Sequence, residues 1–196
     1  MKKGLILGLV VIAVVLSLFL WVQSSYNKMV RLDEAVQSSW SQVENVYQRR
    51  ADLIPNLVST VKGYASHEQQ TLQGVVEARA NATKSVIDPS NMSAESLAEF
   101  QKTQGALSSA IGRLMVVVEK YPDLKANQNF LDLQAQLEGT ENRISVERMR
   151  FNDTAKSYNT IIRSFPKNII ANMFGFEKKA YFEAEKGAEK APEVKF

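Results

Sequence analysis

The chain has 196 residues, 45% of them hydrophobic, with 24 basic side chains against 21 acidic ones and no cysteine. The missing cysteine excludes disulfides, thiolate metal sites, cysteine catalysis and a lipid-modified N-terminal cysteine. Two of the three net positive charges come from Lys2 and Lys3, so the remainder has no broad field to attract nucleic acid.

The hydrophobic content is unevenly spread. Leu5 to Val22 is free of charge, and 16 of its 18 residues are hydrophobic. As a helix rising about 1.5 Å per residue it spans roughly 27 Å, close to the ~30 Å hydrocarbon thickness of a bilayer. Trp21 and Tyr26 stand where interfacial aromatics are favoured, and Lys2 and Lys3 precede the run. Residues 5–22 therefore read as an uncleaved single-pass anchor with the N-terminus cytoplasmic and the body outside the cytoplasm. Lys28 and Arg31 pull against that orientation. A signal peptide cleaved before Ser25 is the rival, weakened by the length of the run and by Trp21 and Gln23 at the cleavage motif.

From Tyr26 onward the dominant pattern is helical. Val36, Trp40, Val43, Tyr47, Ala51, Ile54, Val58, Val61 and Ala65 recur at three- and four-residue steps and line one face of a long amphipathic helix. Pro55 lies inside it, removing a backbone donor and crowding the carbonyl of Ala51. The stripe keeps its phase across Pro55, which favours a bend over a break. Asp88-Pro89-Ser90-Asn91 is a turn, and Ser93 is placed to cap the next helix. That helix carries Leu97, Phe100, Gln104, Leu107, Ile111, Leu114, Val118 and Tyr121, and Pro122 is placed to open the next segment. The third stripe is heptad-like: Phe130, Gln134, Leu137, Glu141, Ile144, Arg148, Phe151, Ala155, Tyr158, Ile162 and Phe165. Gln134, Glu141 and Arg148 interrupt its apolar seam, a pattern expected of register specification or of an ion pair across the bundle. Pro166 ends the helix, and Ile169, Ile170, Met173, Phe174 and Phe176 predict a packed cap.

The expectation is an all-α protein: an anchor in 1–25, an elongated antiparallel up-and-down bundle in 26–186, and a charged, frayed tail in 187–196. Short connections favour antiparallel neighbours. The seams can pair with a second copy or be used up within one chain.

The sequence resembles the LemA family. The resemblance rests on Trp40-Ser41-Gln42-Val43-Glu44-Asn45, Tyr47-Gln48-Arg49-Arg50-Ala51-Asp52-Leu53-Ile54-Pro55-Asn56-Leu57-Val58, Glu77-Ala78-Arg79, Tyr121-Pro122-Asp123, Thr140-Glu141-Asn142-Arg143-Ile144 and Phe174-Gly175-Phe176, blocks that cover nearly the whole body. It implies a bacterial membrane protein with an N-terminal transmembrane helix and a four-helix up-and-down bundle. One version of that fold breaks the first stripe at Pro55 to make the fourth long helix. It implies no established enzyme class.

Catalytic patterns are missing. His67 is the only histidine, and its neighbour Glu68 points about 100° away on a helix, which makes no bidentate metal site. The glycines are too scattered for a phosphate-cradling loop. No cofactor and no enzyme activity are expected. The polar block around Pro55 stands out instead: Trp40, Gln42, Glu44, Asn45, Gln48, Arg49, Arg50, Asp52 and Asn56, with Glu141 and Arg143 from the third stripe. Arginine forks suit buried carboxylates, and Glu141 is the candidate partner. The block is read either as an internal structural network or as a docking surface for a membrane or envelope protein. The functional expectation is a non-enzymatic membrane-anchored scaffold, with an envelope sensor binding a small ligand inside the bundle as the first alternative and an uncharacterised enzyme as the last. An apolar cavity between helices would favour sensing; a filled core with an exposed strip would favour docking.

Overall fold

The computed structural model describes residues 2–183, so the expected tail at 187–196 lies outside the described residues. Helix α1 (Lys2–Tyr64) is followed by α2 (Gln69–Lys84), a 3-10 turn at Pro89–Asn91, α3 (Ala94–Val118), α4 (Pro122–Lys125), α5 (Gln128–Arg163) and α6 (Lys167–Met173). From Phe176 to Glu183 the chain runs without helix or strand. The fold is all-α: an N-terminal helix long and apolar enough to cross a membrane continues into a multi-helix bundle, with six α-helices in all among the described residues. The membrane-crossing window has a mean hydropathy of 3.1 and none of it is buried.

The anchor and the first bundle helix are one element. α1 passes through Pro55 without interruption, which corrects the possible break there. The chain instead reverses at Ala65–Glu68, so the extra long helix is α2, burying Leu72, Val75 and Ala82. The boundary signals act locally as their chemistry dictates. Ser93 caps α3 in a reciprocal pair with Ser96, and the Asn127 side chain accepts from the Phe130 N–H at the start of α5. Cross-helix contacts fix the antiparallel order: Arg50 of α1 meets Glu141 of α5, while Tyr64 near the end of α1 meets Asn127 just before α5.

Two apolar clusters fill the interior. The membrane-proximal one holds Met29, Val36, Trp40, Val43, Tyr47, Phe100, Ile144, Phe151 and Tyr158. The distal one holds Ile54, Leu57, Val61, Leu72, Val75, Leu107, Leu114, Phe130 and Leu137. Buried Arg50 lies between them along α1. Phe165, the last member of the third stripe, is 82% exposed because α5 ends at Arg163 and the inward phase is lost.

Candidate functional site

Proline at position 55 leaves the Ala51 carbonyl without its i+4 donor. Ala51 is buried, so water cannot readily replace that donor. Arg79 of α2 supplies one: its Nε donates to the Ala51 oxygen at 2.7 Å. Two separate sequence blocks thus meet in one contact. The proline interrupts the hydrogen-bond ladder, and an arginine from the neighbouring helix completes it.

Arg50, the residue preceding Ala51, joins three helices through its guanidinium. Nη1 donates to Ser108 Oγ at 2.8 Å and to Glu141 Oε2 at 3.0 Å. Nη2 donates to Gln104 Oε1 at 2.7 Å and to the Gln104 carbonyl at 3.3 Å. The Gln104 amide in turn donates to the Ala82 carbonyl of α2 at 3.1 Å, so all four long helices are tied at one level. Arg50 is 2% exposed, whereas the Glu141 side chain is 55% exposed. The cation is buried and its counter-ion reaches solvent, which reduces the desolvation cost of the pair. The guanidinium also lies 5.1 Å from the Tyr47 ring centroid. Burial pushes the Tyr47 phenol above its ordinary value, opposed by the charges of Arg148 and Arg50.

The predicted block divides by helix phase. Trp40 points inward, its ring 5.3 Å from Phe100, 5.5 Å from Phe151 and stacked 5.9 Å from Phe182. Its Nε1 finds no partner among the described residues, so packing alone holds the ring. Arg50 points inward to Glu141. Gln42, Asn45, Gln48, Arg49, Asp52 and Asn56 are exposed, and Glu44 is half-buried. Asn45, Arg49, Asp52 and Asn56, at steps of four, three and four, form an outward stripe along α1. Gln48 donates to Asp52 at 2.7 Å, and Arg49 makes no ion pair among the described residues. Glu44, Asn45 and Gln48 also border a cleft of about 230 Å³ shared with Thr83, Ser85 and Val86. Arg143 is exposed on α5 and does not join the Arg50 network.

A second polar cluster escaped the sequence reading. Asn159 and Asn152, one heptad apart on α5, each grip the backbone of the C-terminal segment. Asn159 accepts from the Lys179 N–H and donates to the Lys179 carbonyl, both at 2.9 Å. Asn152 does the same for Phe182 at 2.9 and 3.0 Å. Lys179 is buried, and its Nζ pairs with Asp33 Oδ1 at 2.9 Å. Phe182 fills the space beside Trp40 and Phe151. An asparagine facing the core of a heptad-like helix was the available signal for this strap.

Among the described residues no group of three or more His, Asp and Glu side chains could hold a metal ion. The polar groups are structural ties on one side and an open helix surface on the other.

The family model for the LemA family matches residues 39–196. The chain belongs to the LemA family. Related proteins include magnetosome protein MamQ 2 of Paramagnetospirillum magneticum, 28% identical over 97% of this chain and 76% of the relative. MamQ of Magnetospirillum gryphiswaldense is 28% identical over 85% of this chain and 67% of its own length. Protein LemA of Metamycoplasma hominis is 24% identical over 81% and 68%. The LemA-family match covers Arg50, Pro55, Arg79, Gln104 and Glu141 alike. Membership, helical architecture and membrane-crossing segment together describe a membrane-associated helical protein.

Proposed function

We propose that this LemA-family chain is a membrane-anchored scaffold that docks a protein partner at the bacterial cell envelope, with residues 1–25 as anchor and 26–186 as bundle domain. The observation that carries this reading is the outward stripe of Asn45, Arg49, Asp52 and Asn56. It lies on a helix locked from behind by Arg50, and it holds an arginine with no ion-pair partner among the described residues. Asn45 lies 23 residues beyond Val22 on the same helix, about 35 Å past the end of the apolar run. A partner contacting it must itself project that far from the bilayer.

The test is crosslinking in intact cells from a photoreactive residue at Asn45, with and without Arg49→Glu. Loss of a discrete adduct in the folded Arg49→Glu protein, with retention in Arg143→Glu, supports the surface. An adduct unchanged by Arg49→Glu counts against it. The Lys2–Lys3 pair before the run supports a cytoplasmic N-terminus and an external body. Labelling of a Met149→Cys variant by an impermeant maleimide in intact cells tests this, and labelling only after lysis reverses it.

A second reading has its own observation. A groove of about 440 Å³ opens between α3 and α5, lined by Ile111, Gly112, Met115 and Leu137 and closed at one end by Arg50 and Glu141. A sensor would bind a small apolar ligand there. Saturable binding of an apolar fluorescent probe, abolished by Gly112→Phe, would favour sensing; binding that ignores this substitution removes the reading.

A further inference from the structure

Exposed large apolar side chains outside the membrane-crossing run are mostly scattered singly, as on any protein surface. One group is different. Phe165, Ile169, Met173 and Phe174 fall within ten residues and are 82%, 54%, 72% and 51% exposed. They belong to α6 and its flanks. α6 buries Ile170 and Ala171 against the bundle, while Ile169 and Met173, four residues apart, share its opposite face.

The position of this face is fixed by α1. Phe174 and Phe176 pack on Tyr26, with ring centroids 4.9 and 5.6 Å away. Half-buried Val22, the last residue of the apolar run, packs against the same cluster that contains Ile170 and Ala171. Tyr26 lies four residues beyond Val22 on one continuous helix, about 6 Å along its axis. The polar interface on each side of a ~30 Å hydrocarbon core is about 5–8 Å thick. The register of α5 places Phe165 at the same height, because Thr160 and Ile161 already flank Lys28 and Leu32 in one surface cleft. The exposed apolar face therefore continues, at interface depth, the surface of the membrane-crossing helix.

Charge suits the same location. Lys28, Arg31 and Arg163 are exposed around this foot, with Lys167 half-buried in α6. Phosphate headgroups attract such cations, and apolar side chains beside them enter the acyl boundary.

We infer that α6 and its flanking phenylalanines form a second membrane contact, a foot that sinks Phe165, Ile169, Met173 and Phe174 into the headgroup–acyl boundary of the leaflet from which α1 emerges. The occupant of this face is lipid rather than a second copy of the chain. The inference rests on the reading of residues 5–22 as a bilayer span. Its effect is to fix the tilt of the bundle: a single helix swivels on its span, whereas a span plus a lateral foot holds the body at one angle.

The test uses the full chain in nanodiscs containing anionic and zwitterionic phospholipid. In the unaltered protein, a lipid with a photoreactive group at the top of its acyl chain should form adducts within 165–174 as well as within 5–22. The cysteine-free sequence allows a second measurement with single spin labels at Leu16→Cys, Ile169→Cys, Met173→Cys and Met149→Cys. Labels at 169 and 173 should favour collision with oxygen over a water-soluble nickel chelate several-fold more than the label at 149. Lipid adducts confined to 5–22, with 169 and 173 matching the aqueous behaviour of 149, overturn the foot while leaving the anchor intact. Labels shielded from both collision partners also overturn it, since they place protein on this face. If Leu16 too reads as aqueous, the anchor reading fails and the foot fails with it.

Discussion

The contact between Pro55 and Arg79 gives a quantitative prediction. Arg79→Met keeps the aliphatic stem and removes the donor to the Ala51 carbonyl, a 2.7 Å hydrogen bond from a charged group. Such bonds contribute about 1.5–3 kcal/mol, and a buried carbonyl left alone costs about 1–3 kcal/mol. Arg79 is half-buried rather than enclosed, so a loss of about 2 kcal/mol is expected. Pro55→Ala restores an N–H that donates to the same carbonyl, and exposed Pro55 packs little that alanine would lose. Proline is roughly 3 kcal/mol less favourable than alanine in a helix interior, an upper limit for the gain here. In the alanine background Arg79→Met should cost only about 0.5 kcal/mol, which leaves a coupling of about 1.5 kcal/mol between residues on different helices. For a body of this size one kcal/mol moves the midpoint by about 2–4 °C. Arg79→Met should therefore lower Tm by about 4–8 °C with proline present and by about 1–2 °C with alanine. Calorimetry of the four proteins in detergent checks this. Equal losses in both backgrounds would show that Arg79 acts by packing and that the carbonyl finds another partner.

Removing the Arg50 cation should cost more than neutralising its partner. Arg50→Met orphans both acceptors of Gln104 and lowers stability by about 3 kcal/mol, while Glu141→Gln, at a half-exposed carboxylate, costs about 1 kcal/mol in urea titrations. Glu141→Arg, which sets a second cation against a buried one, should destroy the cooperative transition. Phe182→Ala removes a buried ring from between Trp40 and Phe151 and should cost about 3 kcal/mol, with hydrogen exchange accelerating across 177–183; unchanged exchange would mean that the two asparagines hold the strap unaided. Alkaline pH should destabilise the bundle. The Tyr158 phenol is pushed up to about 12 by burial and by the nearby Asp33 and Glu177 charges, and the Tyr47 phenol is raised in the same direction. Both fold best as neutral phenols, so their contribution is complete below pH 10 and falls as pH rises from about 10 toward 12. Tyr158→Phe should flatten the fall in urea midpoint over that range; an unaltered slope would place the titration elsewhere.

The bundle was legible in its apolar stripes because burial repeats every three or four residues whatever the neighbouring helix is. Val36 through Ala65 and Leu97 through Val118 face inward almost as their spacing requires. The reversal at Ala65–Glu68 left a weak trace, since a turn lacking Pro, Asn or Asp resembles helix in sequence. Pro55 gave a strong breaker signal at a place where the helix continues, and the unbroken phase of the stripe across it was the better guide. A proline's cost is local, and the residue that offsets it, Arg79, is 24 positions away. The approach of Glu141 to Arg50 was open to inference because a buried guanidinium needs a carboxylate. Gln104 and Ser108 were not, because neutral acceptors leave no charge pattern to match. Within the polar block, helix phase separates the inward Arg50 from the outward Arg49, whereas composition treats them alike.

The polar seam of α5 explains why the ties are placed where they are. Two apolar clusters packed end to end slide past one another at little cost if every seam residue is aliphatic. Gln134, Glu141 and Arg148 stand seven residues apart, so a slip of α5 by one heptad, about 10 Å along the axis, would bring one of the other two opposite Arg50. Gln134 would leave the buried cation without a counter-charge, and Arg148 would add a like charge. Only the observed alignment pairs Arg50 with a carboxylate, while Arg148 lies over Phe182 and donates to the Glu183 carbonyl. This is why Glu141→Arg is expected to do more harm than Glu141→Gln: the neutral side chain weakens the preferred register, whereas the cation makes it the costly one. Register also sets function in the docking reading. The outward stripe on α1 and the lipid-facing foot on α6 lie at different heights along the α1–α5 pair, and a one-heptad slip would move the foot about 10 Å relative to the span.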